Sequence, residues 1–285
     1  MGLGVARSLK RAGFAVHGCD VREEAVQLFA SEGGTACHSP ADLGARCEVV
    51  MVLVVNAEQT EQVLLGPGGA APTMKPGSVV IASATCHPDF VRTLCDQLSA
   101  KGIELLDAPV SGGAVGAANG TLALMTSGPD ATYQKCEDVL AAISSRVFRF
   151  GDVVGLGSKV KIINQLLVGV HVAAAAEAMA LGIREGIAPE LLYEVIVASA
   201  GNSWAFQDRV PRIVAGDFTA MTALDIFVKD LALVLDTARS SKFPLPLAST
   251  AYQMFASAAC AGYGREDDSA VIKSFPGITL PQFRA

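Results

Sequence analysis

The chain has 285 residues, a formal net charge of -6, 51% hydrophobic residues and 18% charged residues. That length suits one large domain or two modest ones, and that hydrophobicity excludes a disordered chain. An acidic balance without blocks of Lys or Arg excludes a nucleic-acid partner, whose phosphates need clustered cations; the single Trp removes the usual base-stacking platform.

The chain opens Met1-Gly2-Leu3-Gly4-Val5-Ala6-Arg7-Ser8-Leu9, already in a helical pattern, and the first expected strand is residues 15–19. Further short β-branched runs fall at residues 49–55, 79–82, 103–106, 122–126 and 147–150. Between them Val91, Leu94 and Leu98, then Tyr133, Cys136, Leu140 and Ile143, recur at helical spacing. Alternating strands and helices imply βαβ units, hence an α/β, doubly wound, Rossmann-like and mostly parallel sheet. Such a domain begins with a strand, then G-x-G-x-x-G, then a helix, so the opening strand and first two glycines are expected to be missing here.

After residue 157 only helices are expected, at residues 158–185, 190–199, 203–214, 223–240 and 247–261. Two domains follow: residues 1–154 for a dinucleotide and residues 155–285, all-helical, for substrate and association. The 158–185 helix is apolar nearly all round, which predicts burial between domains or subunits and so a homo-oligomer. Its tract at residues 166–183 carries His171 and Glu177 and is flanked by Asn164, Gln165 and Arg184, so no membrane span is expected. His171 reads as a satisfied histidine of that buried helix, and Trp204 as a packing residue. Seven scattered Cys and four His show no metal-ligand spacing, which fits incidental thiols in a reducing cytoplasm and no metal.

Four segments carry possible chemistry. Gly2 stands where the third glycine of the dinucleotide turn would, and Asp20 closes the next strand, suited to bonding ribose hydroxyls. A carboxylate there repels a 2′-phosphate and favours NAD over NADP; the alternative is a chance glycine and a helix N-cap. Asp107-Ala108-Pro109-Val110-Ser111-Gly112-Gly113 follows a strand, where backbone N–H groups and a hydroxyl can converge on a carboxylate; taken alone it is an ordinary Gly-rich turn. Gly155-Leu156-Gly157 reads as a hinge. Lys159 and Lys161 then oppose the macrodipole of the helix they open. Lys161, near a helix N-terminus and in apolar surroundings, is expected to hold its proton weakly, with Gln165 one turn on along the same face; solvated lysines at a domain junction are the plainer account. Lys229-Asp230, alone, is surface decoration, and Thr85 sits at the ligand edge of the sheet.

In this order the motifs resemble those of the β-hydroxyacid dehydrogenase family over nearly the whole chain. Met1-Gly2 matches the end of the family's glycine turn. Thr85 and Pro88 match its S-T-x-x-P loop, and Asp107 through Gly113 its D-A-P-V-S-G-G segment. Lys161 falls in its lysine motif, Lys229-Asp230-Leu231 matches K-D-L, and Asp268-Ser269-Ala270 its tail. The segments 223–230, 243–250 and 262–273 look most like the branch acting on L-threonate. The resemblance implies hydride transfer between NAD and a small hydroxy acid, with Lys161 as acid/base. It also implies Ser111, Gly112, Gly113 and Gln165 on the substrate, and Gly2, Asp20, Thr85 and Lys229 on the cofactor. Gln165 departs from the family's usual Asn. The missing opening turn leaves a rival reading, a non-catalytic dehydrogenase-like binding protein.

Overall fold

A computed structural model describes residues 1–283. The chain divides into two compact units, Met1–Lys161 and Ile162–Ala285. The first contains α1 (Gly2–Arg11), β1 (His17–Gly18), α2 (Glu23–Ser31), β2 (Thr35–Ala36), α3 (Pro40–Arg46), β3 (Val49–Val52), α4 (Ala57–Leu65) and β4 (Val79–Ala82). It continues with α5 (Pro88–Ser99), β5 (Glu104–Asp107), β6 (Val110–Ser111), α6 (Gly113–Asn119), β7 (Leu122–Thr126), α7 (Asp130–Ile143), β8 (Ser144–Arg149) and the start of α8 (Leu156–Arg184).

β3, β4 and β5 run parallel in that order, with Val50 opposite Val80 and Val80 opposite Leu105. β1 pairs parallel with β2, β7 parallel with β8, and β6 lies antiparallel against β7. All four residues of β4 are buried, and they alternate between two separate cores: Val80 and Ala82 in one, Val79 and Ile81 in the other. A strand apolar on both faces needs helices on both faces, which is the doubly wound arrangement the sequence predicts.

Several boundaries differ. β3 stops at Val52 because the chain beyond it turns into the cap of α4: the Val55 N–H donates to Gln59 Oε1 at 3.0 Å, and Asn56 Oδ1 accepts from the Gln59 N–H at 2.8 Å. β1 shortens to two residues, and β2 and β6, unforeseen, are also two residues long, too short to show a period.

The second unit holds the rest of α8 with α9 (Pro189–Val197), α10 (Trp204–Ala215), α11 (Leu224–Ser240) and α12 (Pro246–Ala258), then a π-type turn (Ala259–Tyr263) and a 3-10 helix (Asp268–Ser274). Phe227 and Phe255 stack at 5.3 Å in its single core. α12 ends at Ala258, short of the expected residue 261, where the π-type turn takes over; within that turn Gly262 stands at φ 97, a conformation L side chains avoid. α8 is the helix long and apolar enough to cross a membrane among the described residues. One face is core (Val172, Ala173, Ala176, Met179, Ala180), yet Ile163, Leu167 and Leu181 are 62%, 51% and 61% exposed. Within one chain α8 is thus buried on one face only. His171 lies on the other face and is exposed rather than buried, and Trp204, opening α10, is 65% exposed rather than packed.

Candidate active site

Gly2 opens α1, whose first turn has neither a side-chain cap nor an acidic residue. Four N–H groups at a helix start lack intrahelical partners, so an anion is favoured there. Asp20 lies two residues beyond β1, exposed, and accepts from the Arg22 N–H at 2.9 Å and guanidinium at 3.3 Å. Burial acts against its ionised form, but these hydrogen bonds and the charge of Arg22 hold its pKa below the usual carboxylate range. Burial pushes the pKa of the Met1 amino group down, with Arg22 adding to this and Asp20 opposing it. Asp20 is not a helix cap: Arg22 precedes α2 and no side chain caps it. A phosphate at α1 with ribose hydroxyls at Asp20 fits this arrangement.

Thr85 stands half-buried between β4 and α5. Ser111 ends β6, half-buried, with Gly112 and Gly113 exposed at φ +125 and +62, backbone that favours glycine. The helix they begin, α6, packs closely on α1. A Cβ on Gly4 would lie 2.8 Å from the Ala118 nitrogen, and the Ser8 hydroxyl donates to the Ala117 carbonyl at 2.8 Å. The two Gly-rich segments therefore belong to one packed helix pair.

Lys161 is 7% exposed, one turn into α8. The first turn of α8 is fixed by a residue that sequence reasoning passed over. Asp107, fully buried at the end of β5, accepts from the Gly155 N–H at 3.0 Å, the Ser158 N–H at 2.9 Å, the Ser158 hydroxyl at 2.7 Å and the Ser127 hydroxyl at 3.1 Å. Ser127 Oγ in turn accepts from the Gly157 N–H at 3.0 Å. A Cβ on Gly157 would lie 2.3 Å from the Met125 carbonyl oxygen. Gly155-Leu156-Gly157 is thus a docking point of α8 on the sheet, not a hinge. The acid that a lysine-bearing helix start lacks in its own sequence comes from β5. Burial raises the Asp107 pKa, with the hydrogen bonds acting the other way.

In the second unit, Gln165 is 8% exposed and donates through Nε2 to Asp230 Oδ2 at 2.6 Å. Lys229 Nζ donates to Asp230 Oδ1, also at 2.6 Å, and Asn164 donates to Gln165 Oε1 at 3.0 Å. Asp230 is 2% exposed, so Lys229-Asp230 is no surface decoration. Lys161 and Gln165, both buried, are one turn apart on α8.

Residues 1–151 match the family described as the NAD binding domain of 6-phosphogluconate dehydrogenase. Residues 155–275 match the one described as the NAD-binding region of NADP-dependent 3-hydroxyisobutyrate dehydrogenase. The chain belongs to the β-hydroxyacid dehydrogenase family. It is 63% identical over 281 residues to an L-threonate dehydrogenase of Cupriavidus necator, covering 99% of this chain and 95% of that one. It is 50% identical over 282 residues to an L-threonate dehydrogenase of Escherichia coli K12, covering 99% and 93%. A crystal structure described as 3-hydroxyisobutyrate dehydrogenase from Salmonella typhimurium superposes with a TM-score of 0.92 at 50% identity, over 96% of both chains. This family member is an NAD-linked hydroxyacid dehydrogenase with a small-molecule substrate, and the reading as a non-catalytic binding protein gives way to it.

Proposed function

We propose that the chain oxidises L-threonate, or a closely similar C3–C4 sugar acid, with NAD. The observation that carries this is the 63% identity to an L-threonate dehydrogenase across nearly the whole of both chains. Residues 1–154 form the dinucleotide-binding domain and residues 155–285 the substrate and association domain.

The family chemistry gives NAD the role of hydride acceptor. The chain's own residues do the rest. Lys161, buried and one turn into a clamped helix, takes the hydroxyl proton as the C–H bond breaks. The Ser111 hydroxyl and the amides of Gly112 and Gly113 hold the substrate carboxylate, and Gln165 bonds a substrate hydroxyl or carboxylate oxygen. Gly2 and the start of α1 receive the pyrophosphate, Asp20 the adenosine ribose, and Thr85 and Lys229 the remainder of the dinucleotide. An exposed carboxylate at residue 20 supports NAD over NADP, although one matched family is described by its NADP-dependent members. The exposed apolar stripe Ile163, Leu167 and Leu181 supports a homo-oligomer, since a second copy would cover it. We place the enzyme, soluble, in the cytoplasm.

K161A is expected to abolish turnover while NADH still binds by fluorescence titration; retained turnover removes Lys161 from the reaction. A panel of L-threonate, erythronate, glycerate and 3-hydroxyisobutyrate with both dinucleotides tests the substrate. The Salmonella structure's description favours 3-hydroxyisobutyrate as the second reading, and a higher kcat/KM on that acid would establish it.

A further inference from the structure

We infer that Asp230 is a positioning residue that orients the amide of Gln165 and the ammonium of Lys229 together, so that one buried carboxylate couples the substrate contact to the cofactor contact. The inference rests on the proposed roles of those two residues. It begins with a helix crossing. A Cβ on Gly169 of α8 would lie 2.9 Å from the Leu231 side chain of α11, so the two helices approach closely at this point. Gln165 lies one turn before Gly169, and Asp230 directly before Leu231, so the crossing brings the two polar side chains together inside the unit. Their 2.6 Å contact is short, as charge-assisted hydrogen bonds are.

The chemistry of the pair settles which end of the amide points where. A carboxylate only accepts, so Gln165 must turn its NH2 toward Asp230. Its oxygen then accepts from Asn164 at 3.0 Å. An amide held at both ends presents a fixed pattern of donor and acceptor to a ligand, where an untethered one could flip. The other carboxylate oxygen takes the Lys229 ammonium at 2.6 Å. Neighbours in sequence on a helix do not face each other. Lys229 must therefore fold its chain back to reach Asp230, and that contact sets where its charge lies. Asn at position 165 would be one methylene shorter and would fall short of a carboxylate placed for Gln.

The test measures KM and kcat for L-threonate and the dissociation constant of NADH in D230N, Q165A, K229A and the doubles D230N/Q165A and D230N/K229A. In D230N an amide replaces one acceptor, so one of the two donors loses its partner. KM for L-threonate should rise about ten- to hundredfold and NADH should weaken in the same variant. The effect on KM should largely vanish when Q165A is already present, and that on NADH when K229A is. A rescue variant uses length: Q165N should raise KM, and Q165N/D230E, which moves the methylene across the pair, should recover part of it. Thermal melts monitor folding of each variant, and the rescue pair keeps the test decisive where D230N folds poorly. If Q165A leaves KM unchanged, the reading of Gln165 fails and the coupling falls with it. If Q165A raises KM but D230N adds independently and Q165N/D230E recovers nothing, Asp230 is only structural and the coupling alone is overturned.

Discussion

Asp107 of the first unit and Asp268 of the second are both buried carboxylates, and they are held in different ways. In the first, Asp107 is met by the backbone N–H groups of Gly155 and Ser158 and by the hydroxyls of Ser158 and Ser127. In the second, two buried acids face cations: Asp268 accepts from Arg209 Nε at 2.8 Å, and Asp230 holds Lys229. Asp267 combines both modes, accepting from the Met221 N–H at 3.0 Å and the Ser269 hydroxyl at 2.7 Å with Arg212 Nε 3.3 Å away. A carboxylate met by fixed backbone dipoles defines the place of a helix end to within a hydrogen bond. One met by long cationic side chains defines less, because those chains can move. The difference places the rigid anchorage directly before Lys161 and the adjustable contacts in the helical unit.

The sharpest way to break this contrast is D107N. An amide nitrogen at residue 107 would point N–H groups at N–H groups, leaving donors of Gly155 or Ser158 unpaired in a fully buried place. We expect a loss of about 3 kcal/mol or more, read as a fall of roughly 6–12 °C in Tm. Turnover should fall with it even at temperatures where the variant is folded, because Lys161 follows one turn behind. A variant as stable and active as the wild type would show that α8 is placed without the clamp.

R209M is the matching change in the second unit, and a smaller loss is expected, about 2 kcal/mol. The flexible methionine keeps part of the packing, and Asp268 has an escape that Asp107's partners lack. Burial already pushes its pKa up to about 6, with Asp267 adding and Arg209 opposing, so without the cation it can take up a proton. Denaturant unfolding of both variants measures the ordering; an R209M loss larger than that of D107N would reverse the comparison.

The same contrast explains what could be read from the sequence. Strand β4 and strand β7 were legible to the residue because their apolar runs are continuous and end in polar turns. The helices of the second unit were legible to within a few residues from apolar spacing and from Pro and Gly punctuation. β2 and β6 were not, since a two-residue strand exists only through its neighbour. The candidate site residues stood out because several ordered motifs matched one family. Asp107 stood inside one of those motifs, but its role depends on residues 20 to 51 positions away, a distance at which spacing carries no information. Asp230 was hidden for the same reason, its partner Gln165 lying 65 residues earlier. The composition of α8 reports how apolar the helix is, not which side its own chain covers.

The finest test of the comparison is a pH window. Asp268 has a folded-state pKa of about 6 against 3.8 for an ordinary aspartate, so the folded chain holds this proton more tightly than the unfolded chain. The sign follows from linkage. Stability from this group is fully present below pH 3.8 and is lost as pH rises through about 6, because the folded state must then ionise a buried acid. D268N cannot titrate there. The Tm of the wild type minus that of D268N should therefore shrink as pH rises from 4 toward 7 and level off above. A gap that stays constant across the window would mean that Arg209 keeps Asp268 ionised throughout. The cationic partners of the second unit would then fix charge as firmly as the backbone clamp does in the first.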